Sequence, residues 1–303
     1  HAALVGRYLI EGLAHIPVDV EIASEYRYKK LLIDSGTLFI SITQSGETAD
    51  TLAAQREAMR MGAKALTICN VRGSTAAREA DYVLYTKAGP EIGVASTKAF
   101  TSQLAVLYLL ALGLGVKKGK LSHGDMHALM SHLTGIPGLI GTILAGAQKI
   151  EALAGTLAGA KGFLYLGRGI NYSIALEGAL KLKEISYIPA EGYPAGEMKH
   201  GPIALIEERL PVAVIATHDN LFEKILSNIE EVKARGGRVL ALTDRPDLLR
   251  HKADDIIELP GTHPLLTPFL TIIPLQLLAY YIAVLKGCDV DQPRNLAKSV
   301  TVE

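Results

Sequence analysis

Cysteine is almost missing from this sequence. Only Cys69 and Cys288 occur in 303 residues, far apart and outside any C-x-x-C spacing. That pattern excludes a disulfide framework and a thiolate zinc site, and it fits a reducing, cytoplasmic compartment. An excess of either charge is missing too: 31 basic and 31 acidic residues balance to a formal net charge of +0. Nucleic acids and anionic membranes are bound through one-sided basic fields, so neither is expected as a partner. Long apolar runs are also lacking. The longest, Leu104 to Leu114, falls short of the roughly 20 residues that cross a bilayer. The opening HAALVGRYLIEGLAHIP carries Arg7 and Glu11 inside its apolar pattern, which spoils a signal peptide. What the chain does have is apolar mass: 49% hydrophobic residues, enough for two domains with cores of their own.

The chain repeats itself. Thr37 to Asn70 (TLFISITQSGETADTL…AMRMGAKALTICN) reads as strand, polar turn, helix, Gly, strand, and Leu210 to Asp244 (LPVAVIATHDNLFEKIL…KARGGRVLALTD) reads the same way. Thr43 then pairs with Thr217, Asn70 with Asp244, and Ile16 to Glu25 with Ile188 to Glu197. Gln103, Leu104 and Tyr108 pair with Gln276, Leu277 and Tyr281 in two long apolar helices. The offset is nearly constant throughout, as a duplication requires. Short β-rich runs alternating with helical stretches predict βαβ units, and therefore a mainly parallel, doubly wound α/β sheet in each half. The second half opens with a strand and Gly-rich turn, GFLYLGRG (Gly162 to Gly169), whose partner would fall before His1. The first half is therefore expected to lack its first strand and loop, as part of a larger parent protein.

In the first half, the apolar strand Leu38 to Ile42 runs into Thr43-Gln44-Ser45-Gly46-Glu47-Thr48 and then a helix from about Ala49. Hydroxyls, unpaired helix amides and the helix dipole converge there, which suits a phosphate, and Gly46 allows close backbone approach. The loop matches neither a Walker motif nor G-x-G-x-x-G, so a nucleotide cofactor is not expected. An ordinary capped turn accounts for the same residues, because Ser and Thr are common N-caps. The second half has Thr217-His218-Asp219-Asn220 at the equivalent turn, where Asp219 would repel an anion, so one anion site per chain is expected. GVASTKAF (Gly93 to Phe100) adds Ser96 and Thr97 at the next strand-to-helix edge.

Chemistry has several candidate carriers. ALEGALKLKEISY (Ala175 to Tyr187) sets Glu177, Lys181 and Glu184 on one helical face. A carboxylate beside an ammonium suits proton transfer, although such a face is more often solvated surface. His200, in EMKHGP, is placed in a loop, where an imidazole can open a sugar ring or stand idle. His123, His127 and His132 with Asp125 complete no metal ligand set, so they read as helix surface and no metal is expected. The tail DQPRNLAKSVTVE (Asp291 to Glu303) carries Lys298, exposed in an ordinary tail but a Schiff-base nucleophile if folded into a pocket.

TQSGETADTL, GVASTKAFTSQL, ALEGALKLKEISY, GEMKHGP and DQPRNLAKSVTVE, in this order and across the whole chain, closely resemble the sugar-isomerase (SIS) part of the glutamine:fructose-6-phosphate aminotransferase family, the glucosamine-6-phosphate synthases. The resemblance implies two tandem flavodoxin-like SIS domains, over residues 1–145 with a linker helix and 146–290. It also implies an active-site tail over 291–303, a homodimer, and no cofactor. By position it implies that Thr43, Gln44, Ser45 and Thr48 hold the 6-phosphate and that Val94 and Ser96 touch the sugar. Glu184 would move the proton between C1 and C2, with Lys181 exchanging protons with oxygen. His200, donated by a partner subunit, would open the ring, and Lys298 would form an imine with fructose-6-phosphate. The family's glutaminase domain and its C-G-T-S-like loop are not in the sequence. Conversion of fructose-6-phosphate to glucose-6-phosphate is thus the activity expected of these residues alone, with glucosamine-6-phosphate requiring ammonia from elsewhere. A SIS-type deaminase and a non-catalytic sugar-phosphate sensor are the competing readings. The Lys298 tail argues against the deaminase, and a shared task for Glu184, His200 and Lys298 argues against the sensor.

Overall fold

The computed structural model describes residues 1–30 and 32–301, so Val302 and Glu303, the end of the tail, lie outside the described residues. The chain divides into two compact units, one built from residue 2 to residue 121 together with Asn295 onward, the other from His1 and residues 122–294. The long helix after Ser122, counted with the first domain in the sequence, groups with the second unit, and the tail beyond Arg294 groups with the first.

The first unit contains α1 (Ala2–Ala14), α2 (Ala23–Tyr26), β1 (Leu38–Ile42), α3 (Ala49–Arg60), β2 (Lys64–Cys69), α4 (Thr75–Glu79), β3 (Tyr82–Tyr85) and α5 (Lys98–Lys117). Its three strands pair in the order β1-β2-β3, all parallel, with Leu38 opposite Lys64 and Leu66 opposite Tyr82. Parallel neighbours need a crossover, and α3 and α4 supply it. A buried polar knot fixes where β1 ends and α3 begins. Ser41 and Thr67, neighbours in register, both donate to Gln55 Oε1 at 2.8 Å, and Gln55 Nε2 donates to the Ala76 carbonyl at 3.0 Å. Every member is satisfied, so the knot stiffens the unit instead of weakening it. The loop between β1 and α3 therefore hangs from a rigid frame.

Ile16 to Glu25, paired by the repeat with a strand-bearing segment, forms no strand. A strand exists only with a ladder partner, and among the described residues this unit has no counterpart of the central strand that serves the second unit.

That second unit holds α6 (His123–Ala145), α7 (Ala147–Leu157), β4 (Phe163–Gly167), α8 (Ile170–Ser186), β5 (Ala190–Pro194), β6 (Val212–Ile215), α9 (Phe222–Lys233), β7 (Val239–Thr243), α10 (Pro246–Leu249), β8 (Asp255–Glu258) and α11 (Thr267–Leu285). Five parallel strands run in the order β5-β4-β6-β7-β8, the flavodoxin-like doubly wound order. Alternate residues serve opposite faces. Leu164, Leu166, Val212, Val214, Val239 and Ala241 pack with Phe222, Ile225, Ile229 and Val232 of α9. On the other face lie α8 and α11. A Cβ at Gly178 of α8 would stand 2.5 Å from Leu275 of α11 and about as tight on Tyr165 of β4 at 3.1 Å; α8 is thus sandwiched between sheet and helix.

Run length proves a poor guide to helix length. Among the described residues three helices are long and apolar enough, by length and composition, to cross a membrane: Lys98–Lys117, His123–Ala145 and Pro264–Leu285. Polar residues interrupt their apolar runs without ending the helices.

Candidate active site

In the first unit the loop after β1, the expected anion nest, is shaped by its own hydroxyls and a glycine turn. Gly46 N donates to Thr43 Oγ1 and Glu47 N to Ser45 Oγ, both at 3.1 Å. A hydroxyl that accepts an amide still has its own proton to give. Gly46 has φ +72, and a Cβ there would lie 2.1 Å from Ser74 Oγ, so only glycine fits. The loop is tied to the sheet through Asn70 N, which donates to the Gln44 carbonyl at 3.1 Å, and to α4 through Ala76 N, which donates to the Gly46 carbonyl at 3.0 Å. Thr48 occupies the N-cap of α3 with extended backbone but makes no side-chain capping bond. Thr43 and Ser45, not Thr48, take the amides of this turn. Glu47 turns away to accept from Thr75 N at 2.8 Å; that bond holds its carboxyl below the ordinary value and keeps its charge occupied beside the nest.

The tail closes over this loop. Ser299 Oγ meets Ser45 Oγ at 3.0 Å, and the Val300 carbonyl accepts from Ala49 N, the first amide of α3, at 3.2 Å. Lys298 donates to Glu91 Oε2 at 3.0 Å and to the Gly93 carbonyl at 2.6 Å. Val94 and Ser96 lie on the same loop, half-buried, and Ser96 Oγ donates to Glu91 at 3.1 Å. The structure thus gathers Thr43, Gln44, Ser45, Thr48, Val94, Ser96 and Lys298 in one unit. The tail lysine is withdrawn from open solvent, with 27% of its side chain exposed.

In the second unit, the charged face of α8 is not solvated either. Glu177 and Lys181 are 4% and 3% exposed. Lys181 Nζ lies 3.3 Å from Glu177 Oε1 and 2.7 Å from Glu184 Oε2, while His1 Nδ1 lies 2.7 Å from Glu177 Oε2. Burial pushes the Glu177 carboxyl up, but His1 and Lys181 outweigh it and hold it below the ordinary value. Glu184 Oε2 is ion-paired with Lys181 but makes no hydrogen bond of good geometry. Buried charges persist only when paired, and here one ammonium is shared by two carboxylates. His200 stands on a short 3₁₀ turn (Ala195–His200) with its side chain 74% exposed and Glu197 Oε2 4.0 Å from its Nε2.

The turn equivalent to the nest, after β6, is acidic and self-satisfied. Thr217 Oγ1 accepts from the buried Asn171 at 2.8 Å, and Asp219 and Asp244 accept backbone amides at 2.7 and 2.8 Å. Burial raises the Asp219 carboxyl. A cleft of about 10 Å³ lined by Thr217, Asp244, Thr262 and Thr267 adjoins it, room for no more than a water. His123, His127 and His132 are exposed on α6, and no group of three His, Cys, Asp or Glu able to hold a metal occurs among the described residues.

Glu91, Ser299 and the contact of His1 with Glu177 escaped the sequence. A single carboxylate in a Gly-rich loop has no periodicity to flag it, and the other two are contacts between residues remote in the chain.

The two parallel, doubly wound units agree with the SIS domain model, which matches residues 1–113 and 156–286. The chain belongs to the SIS-domain family. It is 54% identical over 304 residues to a glutamine–fructose-6-phosphate aminotransferase [isomerizing] of Caldanaerobacter subterraneus and 56% identical over 304 residues to one of Bacteroides thetaiotaomicron, covering 100% of this chain and 50% of each relative. It therefore spans about half the length of the curated relatives it matches. Among solved structures, the C-terminal domain of glucosamine-fructose-6-phosphate aminotransferase from Francisella tularensis superposes with a TM-score of 0.93 at 44% identity, over 96% of this chain and 82% of that one. A glucosamine-6-phosphate deaminase from Thermotoga maritima gives a TM-score of 0.81 at 23% identity over 99% and 86%, a likeness of fold alone.

Proposed function

We propose that these residues form the sugar-phosphate isomerase half of a glucosamine-6-phosphate synthase, acting on fructose-6-phosphate. The observation that carries the reading is the docking of the Lys298 tail onto the Thr43–Thr48 nest, which puts a primary amine and a phosphate cradle in one unit. Thr43, Gln44, Ser45 and Thr48 bind the 6-phosphate, and Val94 and Ser96 meet the sugar. His200 from a second copy opens the ring by passing a proton between the ring oxygen and the anomeric hydroxyl. The Lys298 amine adds to the C2 ketone and water leaves, giving an imine. Ammonia displaces the lysine, and Glu184 then takes a proton from C1 and returns one to C2, leaving an aldose with nitrogen at C2. Lys181 shuttles protons at oxygen. The sum is fructose-6-phosphate plus ammonia to glucosamine-6-phosphate plus water. A glutaminase domain, not among these 303 residues, supplies the ammonia; without it, proton transfer alone gives glucose-6-phosphate.

The homodimer is supported by the exposure of His200 and by the apolar helix α6, of which only 17% of an 18-residue window is buried. A cytoplasmic, membrane-free setting is supported by the balanced charge, by two cysteines that form no disulfide, and by α11, whose apolar window is 61% buried in its own unit.

The test is incubation with fructose-6-phosphate in deuterated water, without glutamine. Glucose-6-phosphate carrying deuterium at C2 is expected, and Glu184→Gln should slow its formation by roughly 10² to 10⁴. Binding of fructose-6-phosphate without turnover would favour a sensor.

A further inference from the structure

Glu91 belongs to none of the roles set out so far, yet it is the most heavily engaged carboxylate of the first unit. Its side chain is 4% exposed. Oε1 accepts from Thr97 N at 2.8 Å, from Ala99 N at 3.2 Å and from Thr97 Oγ1 at 3.2 Å, at the start of α5. Oε2 accepts from Ser96 Oγ at 3.1 Å and from Lys298 Nζ at 3.0 Å. One carboxylate thus caps the 20-residue helix α5 with one oxygen and grips the tail lysine with the other. Thr97 is the N-cap residue by backbone position but makes no capping bond itself; Glu91 takes that task from outside the helix, on the positive end of its dipole.

A lysine that attacks a ketone must first be a neutral amine, and a carboxylate at 3.0 Å favours the ammonium. Among the described residues Glu91 is the one acidic group within ion-pair distance of Lys298; Lys98, first residue of α5, is exposed. Burial pushes the Glu91 carboxyl up, yet the amides of Thr97 and Ala99 and the Lys298 ammonium outweigh it and hold it below the ordinary value. It is therefore a poor proton acceptor and a good clamp.

We propose that Glu91 is the positioning residue of Lys298, storing its amine as a clamped ammonium beside the loop of Val94 and Ser96 and tying the tail to the first turn of α5. The proposal rests on the imine reading of Lys298 only for its purpose, not for its geometry.

Two readouts separate the two ideas. The first is reductive methylation of Lys298 with formaldehyde and cyanoborohydride at one fixed neutral pH, read by peptide mass spectrometry, which needs no sugar. Glu91→Gln keeps a carbonyl to accept the α5 amides but removes the charge facing Lys298. Releasing the clamp should raise the rate of Lys298 methylation several-fold, while the chain's circular dichroism stays unchanged. An unchanged rate would overturn the proposal. The second is borohydride trapping of fructose-6-phosphate on Lys298. Its rate should change in the same sense in Glu91→Gln. If the unsubstituted chain traps no sugar while the methylation rate still rises, the imine reading fails and the Glu91 assignment stands.

Discussion

Replacing Gly46 by alanine should damage the nest by an amount that the structure lets one work out. The residue has φ +72, and the added Cβ would lie 2.1 Å from Ser74 Oγ and 2.5 Å from Ser74 Cβ. Holding an L-residue in the left-handed region costs about 1–2 kcal/mol. Ser74 is 3% exposed and cannot swing out, so overpacking adds about 1–3 kcal/mol. The sum, about 2–5 kcal/mol, is a large share of a typical domain's stability of about 5–15 kcal/mol. Urea unfolding followed by far-ultraviolet circular dichroism measures it, and a ³¹P titration with fructose-6-phosphate reads the nest directly. The variant should unfold at clearly lower urea and bind the phosphate ester weakly. In the double variant Gly46→Ala/Ser74→Gly the clash is relieved and the backbone cost remains, so a coupling of about 1–3 kcal/mol should appear. A loss below about 1 kcal/mol in the single variant, or no coupling, would refute the account of this turn.

Other outcomes follow from the same geometry. Lys181→Met takes the cation from half-buried Glu184 and leaves buried Glu177 with only His1, and should cost about 3–5 kcal/mol in urea unfolding, much of it regained when Glu177→Gln is added. Glu91 and Glu177 both titrate below their ordinary values, so the unfolded chain binds more protons than the folded one in acid. Their stabilisation should be complete above the ordinary carboxylate range and fade as pH falls through the depressed values; a melting temperature that holds or rises between pH 6 and pH 3 contradicts this. At Gly192 of β5 a Cβ would stand 2.8 Å from the backbone N and Cα of Leu176. Backbone cannot rotate aside, so Gly192→Ala should push α8 off the sheet, cost about 3 kcal/mol and lower turnover. Gly12, exposed in α1 with nothing within 4 Å of an added Cβ, is the control: Gly12→Ala should raise stability by about 0.5–1 kcal/mol.

The duplication was the legible part of this fold. Thr43 and Thr217 stand just past the ends of β1 and β6, as the repeat requires, and the apolar periodicity set both long helices α5 and α11. Ile16 to Glu25 shows the limit, since alignment with a strand-bearing segment cannot supply the neighbour that a strand needs. Depth was also invisible. The spacing of Glu177, Lys181 and Glu184 puts them on one face of α8, but whether that face meets water depends on what folds against it, and His1 is among the residues that do. Lys298 carried the same ambiguity, resolved only by the tail's bonds to Glu91, Gly93 and the loop at Ser45. Glu91 itself was silent in the sequence because it acts through four residues, Ser96, Thr97, Ala99 and Lys298, two of them by their backbone amides.

The account turns on the Thr43–Thr48 loop being a phosphate cradle, and a ³¹P titration tests that most directly. Fructose-6-phosphate should show a saturable shift of its phosphorus resonance on the unsubstituted chain, and free fructose should fail to displace it. Thr43→Val with Ser45→Ala, which removes two hydroxyls of the loop, should weaken binding by at least ten-fold. Equal binding in that variant, or competition by fructose as effective as by inorganic phosphate, would contradict the account.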